Sequence, residues 1–165
     1  MQAYKQHGFL SFFLIAGLAS CLSSCQTMDL YEKSVAFPKQ QWQSSNRPSF
    51  TFNIKDTTAA YQLYIVLRHT GKYNYNNLWV NLVFQAPGGQ LARTQYELPL
   101  AVNEKWLGTG MDDIYEHRIA LNPSTESFHF NKMGVYTFTL EQIMREDPLM
   151  NVLNVGLRIE KKSHE

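Results

Sequence analysis

Seven segments of this chain are predicted to be short β-strands, and the alternation of apolar and polar residues in several of them restricts the fold more than any other feature. They are Ser49–Ile54, Ala60–Arg68, Leu78–Gln85, Leu91–Leu98, Ile114–Leu121, Val135–Leu140 and Val152–Glu160. A period of two places the apolar side chains on one face of a strand and the polar ones on the other. Such strands are typical of antiparallel sheets with one wet face, whereas buried parallel strands read as continuous apolar runs.

Turn signals separate these segments, and the helices that βαβ units require are not indicated between them. The Pro-Gly-Gly sequence at residues 87–89, for example, indicates a hairpin between the third and fourth segments. We therefore predict an all-β fold, an antiparallel β-sandwich of jelly-roll type with about seven strands, with an open barrel as the competing arrangement. Leu140, Ile143 and Met144 keep helical spacing until Pro148, which predicts one short helical turn near the C-terminus.

The first 24 residues have the pattern of an export signal. Lys5 is the only charged residue before the apolar run Phe9–Ala19, and that run has the length of the hydrophobic region of a secretory signal. A helix that spans a bilayer needs about 20 apolar residues, so this run is too short for one. We expect residues 1–24 to be a lipoprotein signal peptide that is removed on export.

Both cysteines of the chain lie at the end of this leader. The sequences Leu-Ala-Ser-Cys21 and Leu-Ser-Ser-Cys25 each resemble the bacterial lipobox, whose cysteine is acylated and becomes the first residue of the mature protein. Cys21 follows the apolar run more tightly, whereas acylation of Cys25 leaves no spare thiol in an oxidising compartment. We prefer Cys25 as the lipid-attachment residue and keep Cys21 as the alternative. Several acyl chains, at about 0.8 kcal/mol per buried CH₂, would hold the protein to a lipid bilayer.

The mature chain divides into a polar segment and a β-rich segment. Residues 25–48 are rich in Gln and Ser, with Pro38 and Pro48 as breakers, so we expect an acylated N-terminus and a spacer that lifts the domain off the membrane. Phe37 and Trp42 are the exceptions, and they can pack at the domain edge. Residues 49–165 are expected to form the β-sandwich domain, because a chain of 165 residues is long enough for one hydrophobic core.

Composition and motifs argue against catalysis and against nucleic-acid binding. The 15 basic and 14 acidic residues give a net charge of +1, without the strongly basic balance of nucleic-acid-binding domains. The sequence contains no nucleophile elbow, zinc-protease motif, P-loop or dinucleotide-binding motif. The histidines after the leader lie in separate segments and not at metal-ligand spacing: His69, His117, His129 and His164. We therefore expect no enzymatic activity and no cofactor.

Acidic residues leave two weaker hypotheses open. Asp112 and Asp113 lie in a loop and could ligate Ca²⁺, although adjacent acids in a turn more often satisfy backbone N–H groups. Together with Glu97, Glu104 and Glu116, they could also supply the carboxylate pair of a glycosidase, whose separation the sequence does not give.

The concentration of aromatic residues in one stretch is more informative about binding than the acidic residues are. The stretch Tyr73–Trp79 holds three aromatic residues and three asparagines. On a surface, such residues stack on sugar rings or anchor a protein interface. The favoured alternative is that Tyr73 and Tyr75 close a strand–loop–strand corner while Trp79 covers the sheet edge. With Trp106 added, these three aromatics form the candidate interaction surface.

Six motifs follow one another along the chain. They are Tyr61-x-Leu63-x-Ile65-x-Leu67-Arg68-His69, Tyr73-x-Tyr75-x-Asn77-Leu78-Trp79, Trp106-x-Gly108-x-Gly110, Gly134-x-Tyr136-x-Phe138, Gln142-x-Met144-Arg145 and Leu149-x-x-Val152-x-x-Val155-Gly156-Leu157-Arg158-Ile159. As a set they resemble the gliding-motility lipoprotein family GldH, over about 120 residues from Phe37 to Lys161. In that family the lipobox cysteine stands a few residues before a Tyr-Glu pair, here Tyr31-Glu32, which favours Cys25.

The resemblance implies a Bacteroidetes cell-envelope lipoprotein associated with gliding motility and the linked secretion apparatus, with no known catalytic residue or cofactor. We therefore expect a non-enzymatic structural lipoprotein that is exported and lipid-anchored at the outer membrane. Its expected partners are the lipid bilayer and other envelope lipoproteins or motility and secretion proteins. A carbohydrate-binding lipoprotein that uses surface aromatics is the alternative, by analogy of fold, and a hydrolase is the third hypothesis.

Overall fold

The computed structural model describes residues 30–122 and 126–162, which form β-strands joined by turns and loops. The strands in chain order are β1 (Leu30–Ala36), β2 (Gln41–Trp42), β3 (Ser49–Ile54), β4 (Tyr61–Thr70), β5 (Asn77–Gln85), β6 (Leu91–Pro99), β7 (Ala101–Val102), β8 (Lys105–Trp106), β9 (Thr109–Met111), β10 (Ile114–Ala120), β11 (Gly134–Gln142), β12 (Leu149–Met150) and β13 (Val152–Lys161). All pairings between these strands are antiparallel. In neither described range is there a helix long and apolar enough to cross a membrane.

Two larger sheets form the body of the domain. The five-stranded sheet has the order β1-β13-β4-β10-β9 and the four-stranded sheet the order β3-β11-β5-β6, while β2 pairs with β12 and β7 with β8. The larger sheets pack face to face, since the ring of Phe52 in β3 lies 5.1 Å from that of Tyr31 in β1 and 6.5 Å from that of Tyr61 in β4. One hydrophobic cluster contains buried residues of both sheets. The predicted all-β antiparallel fold is confirmed, and its arrangement is sandwich-like.

All seven segments predicted to be strands are strands. They correspond to β3, β4, β5, β6, β10, β11 and β13. Their apolar positions supply the core, as in β5, where Leu78, Val80 and Leu82 are buried between half-buried neighbours. The addition of β1 and β9 raises the two larger sheets to nine strands within the described residues, where the sequence predicts about seven.

A β-bulge corrects the predicted inner face of the last strand. The register of β13 against β4 shifts between Val152 and Asn154. Because a bulge inserts one residue into one strand, alternation changes phase there. Val152 and Val155 are both buried as a result, while Leu153, which strict alternation assigns to the inner face, is only half-buried.

The folded domain begins earlier than the sequence suggests. β1 pairs with β13 along its whole length and β2 pairs with β12, although both lie in the segment 25–48 that we expected to be a spacer. Phe37 and Trp42 are buried, with their rings stacked at a centroid distance of 5.4 Å. Residues from Leu30 onward therefore belong to the domain: β1 is an edge strand with mostly exposed residues, and most of the Gln and Ser residues that suggested a spacer lie in β2 and the turns around it.

The predicted helical turn near the C-terminus is wrong, because the described residues there form the end of a strand followed by bends and no helix. β11 continues through Gln142, and the N–H of Ile143 donates to the carbonyl of Trp79 at 3.1 Å. Leu140 is a core residue, while the sulfur of Met144 accepts a hydrogen bond from the Trp79 N–H at 3.2 Å. The helical spacing of these apolar residues therefore arises from strand and loop contacts with β5.

The sandwich has two ends, which differ in what they carry. The N-terminal end carries Leu30, Tyr61 and Gly134, the first residues of β1, β4 and β11, and the register of β13, which lies between β1 and β4, places the first two at the same end of their sheet. The aromatic end carries the loop between β4 and β5, the strands β7 to β9 and the segment that follows β11. The sequence-predicted interaction residues all lie toward the aromatic end.

Candidate interaction surface

The four aromatics of the predicted interaction surface separate into two groups. Tyr73 is buried and its hydroxyl donates to the Asn77 carbonyl at 3.1 Å, so it closes the corner between β4 and β5. Its ring lies 6.4 Å from that of Trp106. Trp79 is half-buried on the outer face of β5, and half-buried Tyr75 lies between the groups, 5.8 Å from the Tyr73 ring. The four therefore do not form one exposed patch.

Tyr73 and Trp106 belong to an aromatic cluster, which we define as His69, Tyr73, Trp106, Tyr115 and His117. His69 is its centre, with ring-centroid distances of 4.5 Å to Trp106, 4.9 Å to His117, 5.0 Å to Tyr73 and 5.8 Å to Tyr115. The register of β4 against β10 sets His69 opposite Tyr115. The cluster thus joins the last residues of β4 to the first residues of β10 and to the loops beyond them.

The two histidines of the cluster bind each other. The Nε2 atoms of His69 and His117 are 2.9 Å apart, and the two residues are 0% and 3% exposed. His69 Nδ1 lies 2.8 Å from the Thr70 carbonyl. Because a carbonyl only accepts, Nδ1 carries the proton, and in the neutral pair Nε2 of His69 accepts from Nε2–H of His117.

Burial keeps this pair neutral at physiological pH. Desolvation lowers the pKa of His69, and desolvation together with the proximity of His69 lowers the pKa of His117 to about 4. Sequence reasoning did not single these residues out, because they are far apart along the chain. Alternation carried a signal for His69, which has the same parity as the buried Leu63, Ile65 and Leu67 of β4.

A hairpin arm, residues 101–113, extends from the aromatic cluster. It contains β7, β8 and β9, and half-buried Trp106 roots it against the rings of His69 and His117. Gly108 is required for this close approach, since a Cβ there would lie 2.5 Å from the Glu116 carbonyl oxygen. Three apolar side chains of the arm remain largely exposed: Val102 at 54%, Leu107 at 58% and Met111 at 73%.

Acidic residues lie at the turns of the arm. Asp112 and Asp113 connect β9 to β10 with φ values of 49° and 63°, as the two-residue type I′ turn of a hairpin requires. The Asp113 carbonyl accepts from the Gly71 N–H at 2.8 Å. Within residues 30–122 and 126–162, no three His, Cys, Asp or Glu side chains are grouped so as to hold a metal ion. The geometry thus assigns both aspartates a turn, with Glu104 at the other turn of the arm.

A groove of about 390 Å³ adjoins Tyr75 and Trp79. Its walls are Tyr75, Asn77, Trp79, Gln95, Ile143, Met144 and Arg145. The hydrogen bonds from Ile143 and to Met144 described above hold the segment after β11 against Trp79. Asn77 is fixed by its own bond to Glu97 at 2.7 Å. The groove therefore combines two aromatic faces with amide and guanidinium groups.

The remaining predicted site residues are the two lipobox cysteines. Cys21 and Cys25 lie outside the residues that the structure describes. Their acylation stays a prediction from the sequence.

Comparison with known proteins identifies similar chains. The family model described as GldH lipoprotein matches residues 29–159. A gliding motility lipoprotein GldH homolog from Christiangramia forsetii is 26% identical over 162 residues, which cover 93% of this chain and 97% of that protein. The gliding motility lipoprotein GldH of Flavobacterium johnsoniae is 28% identical over 154 residues, covering 87% and 92%.

Solved structures with a similar course of the chain are more distant. A carbohydrate-binding module specific for non-crystalline cellulose matches with a TM-score of 0.46 and 13% identity, over 80% of this chain and 73% of that one. The subviral particle protein VP2 of infectious bursal disease virus matches with a TM-score of 0.37 and 14% identity, over 82% of this chain and 33% of that one.

Proposed function

This chain belongs to the GldH lipoprotein family, and from that membership we propose that it is a lipid-anchored, non-enzymatic envelope protein that binds other proteins of a gliding-motility and linked secretion apparatus. The observation that carries the proposal is the family match over residues 29–159, which spans nearly all of the folded domain. The alignments cover most of the length of the two relatives named gliding motility lipoprotein.

The anchor follows from the leader and lipobox of the sequence. Acylation of Cys25, with palmitate-type chains, attaches the mature N-terminus to the outer membrane in this proposal. Leu30, the first residue of β1, then follows the anchor by only five residues. The protein is held at the envelope by its lipid and is free to present its sandwich to other proteins.

The hairpin arm supports a binding role. Val102, Leu107 and Met111 expose apolar surface on a segment that is rooted by packed rings at Trp106. A rigid root lowers the entropy that a partner must remove when it binds, which favours recognition. The turns of the arm carry acidic residues. The complementary surface on a partner would therefore be an apolar depression with a basic rim.

The buried histidines support a non-enzymatic role. Their ring nitrogens bind each other and the Thr70 carbonyl, so the groups best suited to acid–base chemistry act as packing in the interior. A general acid or base must instead be within hydrogen-bond reach of a substrate. In this proposal the aromatic cluster positions the hairpin arm.

Site-specific photo-crosslinking in native membranes tests the binding role. A photoreactive residue replaces Leu107 or Met111, and the matched control places it at Thr51, an exposed position on the outer face of β3. We expect both arm positions to capture the same envelope protein and Thr51 not to capture it. Equal capture from all three positions, or a gene deletion that leaves envelope assembly, motility and secretion intact, would contradict the proposal.

Carbohydrate binding is the second candidate, and the groove beside Trp79 favours it. Sugar rings stack on aromatic faces while amide and guanidinium groups bind their hydroxyls, and this groove offers both. A glycan array with the soluble domain tests it, with Trp79→Ala as the disabling variant and Val83→Ala, on the same face of β5 but outside the groove, as control. Binding that Trp79→Ala removes and Val83→Ala retains would support this candidate, and an array without binding would exclude it for the glycans present.

A further inference from the structure

The N-terminal end of the sandwich, from which the chain leads toward its proposed anchor, exposes apolar side chains. Leu91, Met133 and Val135 are exposed to 68%, 69% and 56%, and Leu30 is 37% exposed. Leu30 opens β1 opposite Glu160, at the last residues of β13. Exposed apolar residues at a site where the chain approaches a membrane have an obvious occupant in the membrane itself.

Three of these side chains, Leu91, Met133 and Val135, lie toward the same end of the four-stranded sheet, and we call them the apolar strip. Leu91 is the register partner of Gln85, whose partner on the other side is Thr137 of β11. Val135 precedes Thr137 by two residues, so it projects from the same face of the four-stranded sheet as Leu91. Met133 directly precedes β11. The apolar strip therefore lies at the N-terminal end of the four-stranded sheet.

Lysines flank the apolar strip. Lys132 precedes Met133 and is exposed, and exposed Lys55 follows Ile54, the register partner of Gly134. A third lysine at this end, Lys161, pairs with Asp56 at 2.9 Å. Apolar side chains bordered by lysines are typical of surfaces that lie in the headgroup region of a bilayer.

The length of the tether fixes which end lies near the lipid. Five residues connect Cys25 to Leu30, and a fully extended chain of that length reaches at most about 18 Å. The strands of the two sheets have up to ten residues, which corresponds to about 33 Å. The anchor can therefore hold the N-terminal end at the bilayer while the aromatic end lies well away from it.

We propose that the N-terminal end docks on the bilayer surface, with the apolar strip inserted at the boundary of headgroups and acyl chains and with Lys55 and Lys132 bound to anionic headgroups. This inference rests on the lipid anchor of the proposed function. It adds an orientation to that function, because docking turns the hairpin arm and the groove beside Trp79 away from the membrane, where envelope proteins can reach them.

Spin-label accessibility in the acylated protein, reconstituted in vesicles of zwitterionic and anionic phospholipid, tests the orientation. With Cys25 acylated, the mature chain has no other thiol, so a label attaches only to an introduced cysteine. We expect a label at Met133→Cys to collide several-fold more with oxygen than with a water-soluble nickel chelate, relative to a label at Val102→Cys on the hairpin arm. The double variant Lys55→Glu/Lys132→Glu should reduce that difference while the protein stays bound through its lipid.

Vesicle flotation distinguishes a failure of the docking proposal from a failure of the lipid anchor. Protein that floats but shows equal accessibility at the two labelled positions would overturn the docking proposal and leave the anchor intact. Protein that does not float would overturn the anchor and the docking proposal with it. Dipolar broadening between Met133 labels would show that a second copy covers the apolar strip, and would likewise overturn docking on lipid.

Discussion

The buried pair of His69 and His117 makes the stability of the fold depend on pH. Both side chains are neutral in the fold because desolvation lowers their pKa values, that of His117 to about 4. In the unfolded chain a histidine titrates near 6.5. Between these values the unfolded chain binds more protons than the folded one, so the free energy of unfolding decreases as the pH falls. Above the unfolded pKa, this pair contributes no pH dependence.

His117→Gln tests this dependence, because an amide donor can still bind His69 but does not titrate. The contribution of His117 to the free energy of unfolding should fall by about 2 kcal/mol between about pH 7.5 and about pH 5, at about 1.4 kcal/mol per pKa unit. Urea unfolding at several pH values measures this slope. We expect the slope to be clearly smaller in His117→Gln and unchanged in His129→Gln, which alters an exposed histidine at the opposite end. Equal slopes in all three proteins would contradict the argument.

The candidate interaction surface was only partly predictable from the types and positions of single residues. Tyr73 and Trp106 were recognisable as unusual from their type and neighbours, but burial depends on which loops meet, and alternation gives no information about loops. Tyr73 points inward because its hydroxyl binds the Asn77 carbonyl across the corner. The His69–His117 pair requires the register of β4 against β10, which depends on contacts between residues 48 positions apart along the chain.

At the scale of elements, the segment before β3 is where the sequence and the structure differ most. Strands such as β3 and β5 were predictable because each has one buried face and one more exposed face, the condition under which alternation is informative. β1 is an edge strand whose residues are mostly exposed, so its sequence carries little of that pattern. β2 has two residues, too few for any period, and its place is set by pairing with β12 and by the burial of Trp42.

Trp42→Ala tests whether this segment belongs to the cooperative fold. Trp42 is 0% exposed, stacks on Phe37 and donates its indole N–H to the Asn46 carbonyl at 2.8 Å. Truncation of a fully buried tryptophan costs about 3–5 kcal/mol, so we expect a loss of that size in the free energy of unfolding measured in denaturant. The matched control is Trp79→Ala, since half-buried Trp79 lies on an outer face and should cost clearly less. A near-neutral Trp42→Ala would mean that residues 30–48 act as the spacer suggested by composition.

At the scale of the whole molecule, Leu30, the first residue that the structure describes, and the hairpin arm lie at opposite ends. β1 leads from Leu30 at the N-terminal end toward the aromatic end, where Trp106 roots the hairpin arm. The separation follows from the length of the strands, about 33 Å for ten residues. If Cys25 is the anchor, only five residues separate it from Leu30, so the sandwich itself would supply nearly all of the distance between membrane and hairpin arm.

The position of the acylated cysteine decides how closely the domain is held. From Cys25 the tether to Leu30 has five residues and reaches at most about 18 Å, whereas from Cys21 it has nine and reaches about 32 Å. The longer tether would let the domain tumble at the surface, and the shorter one favours the docked orientation because it keeps the apolar strip near the lipid.

Intact-mass measurement of Cys25→Ser and Cys21→Ser decides between these tethers. We expect Cys21→Ser to give the wild-type mature mass, since residue 21 leaves with the leader, and to remain in the membrane fraction. Cys25→Ser should keep the mass of the leader and carry no lipid, because the acyl acceptor is gone. A lipid-modified Cys25→Ser protein whose chain begins at Cys21 would contradict the assignment. It would also lengthen the tether by four residues, and docking would then depend on the apolar strip and the lysines alone.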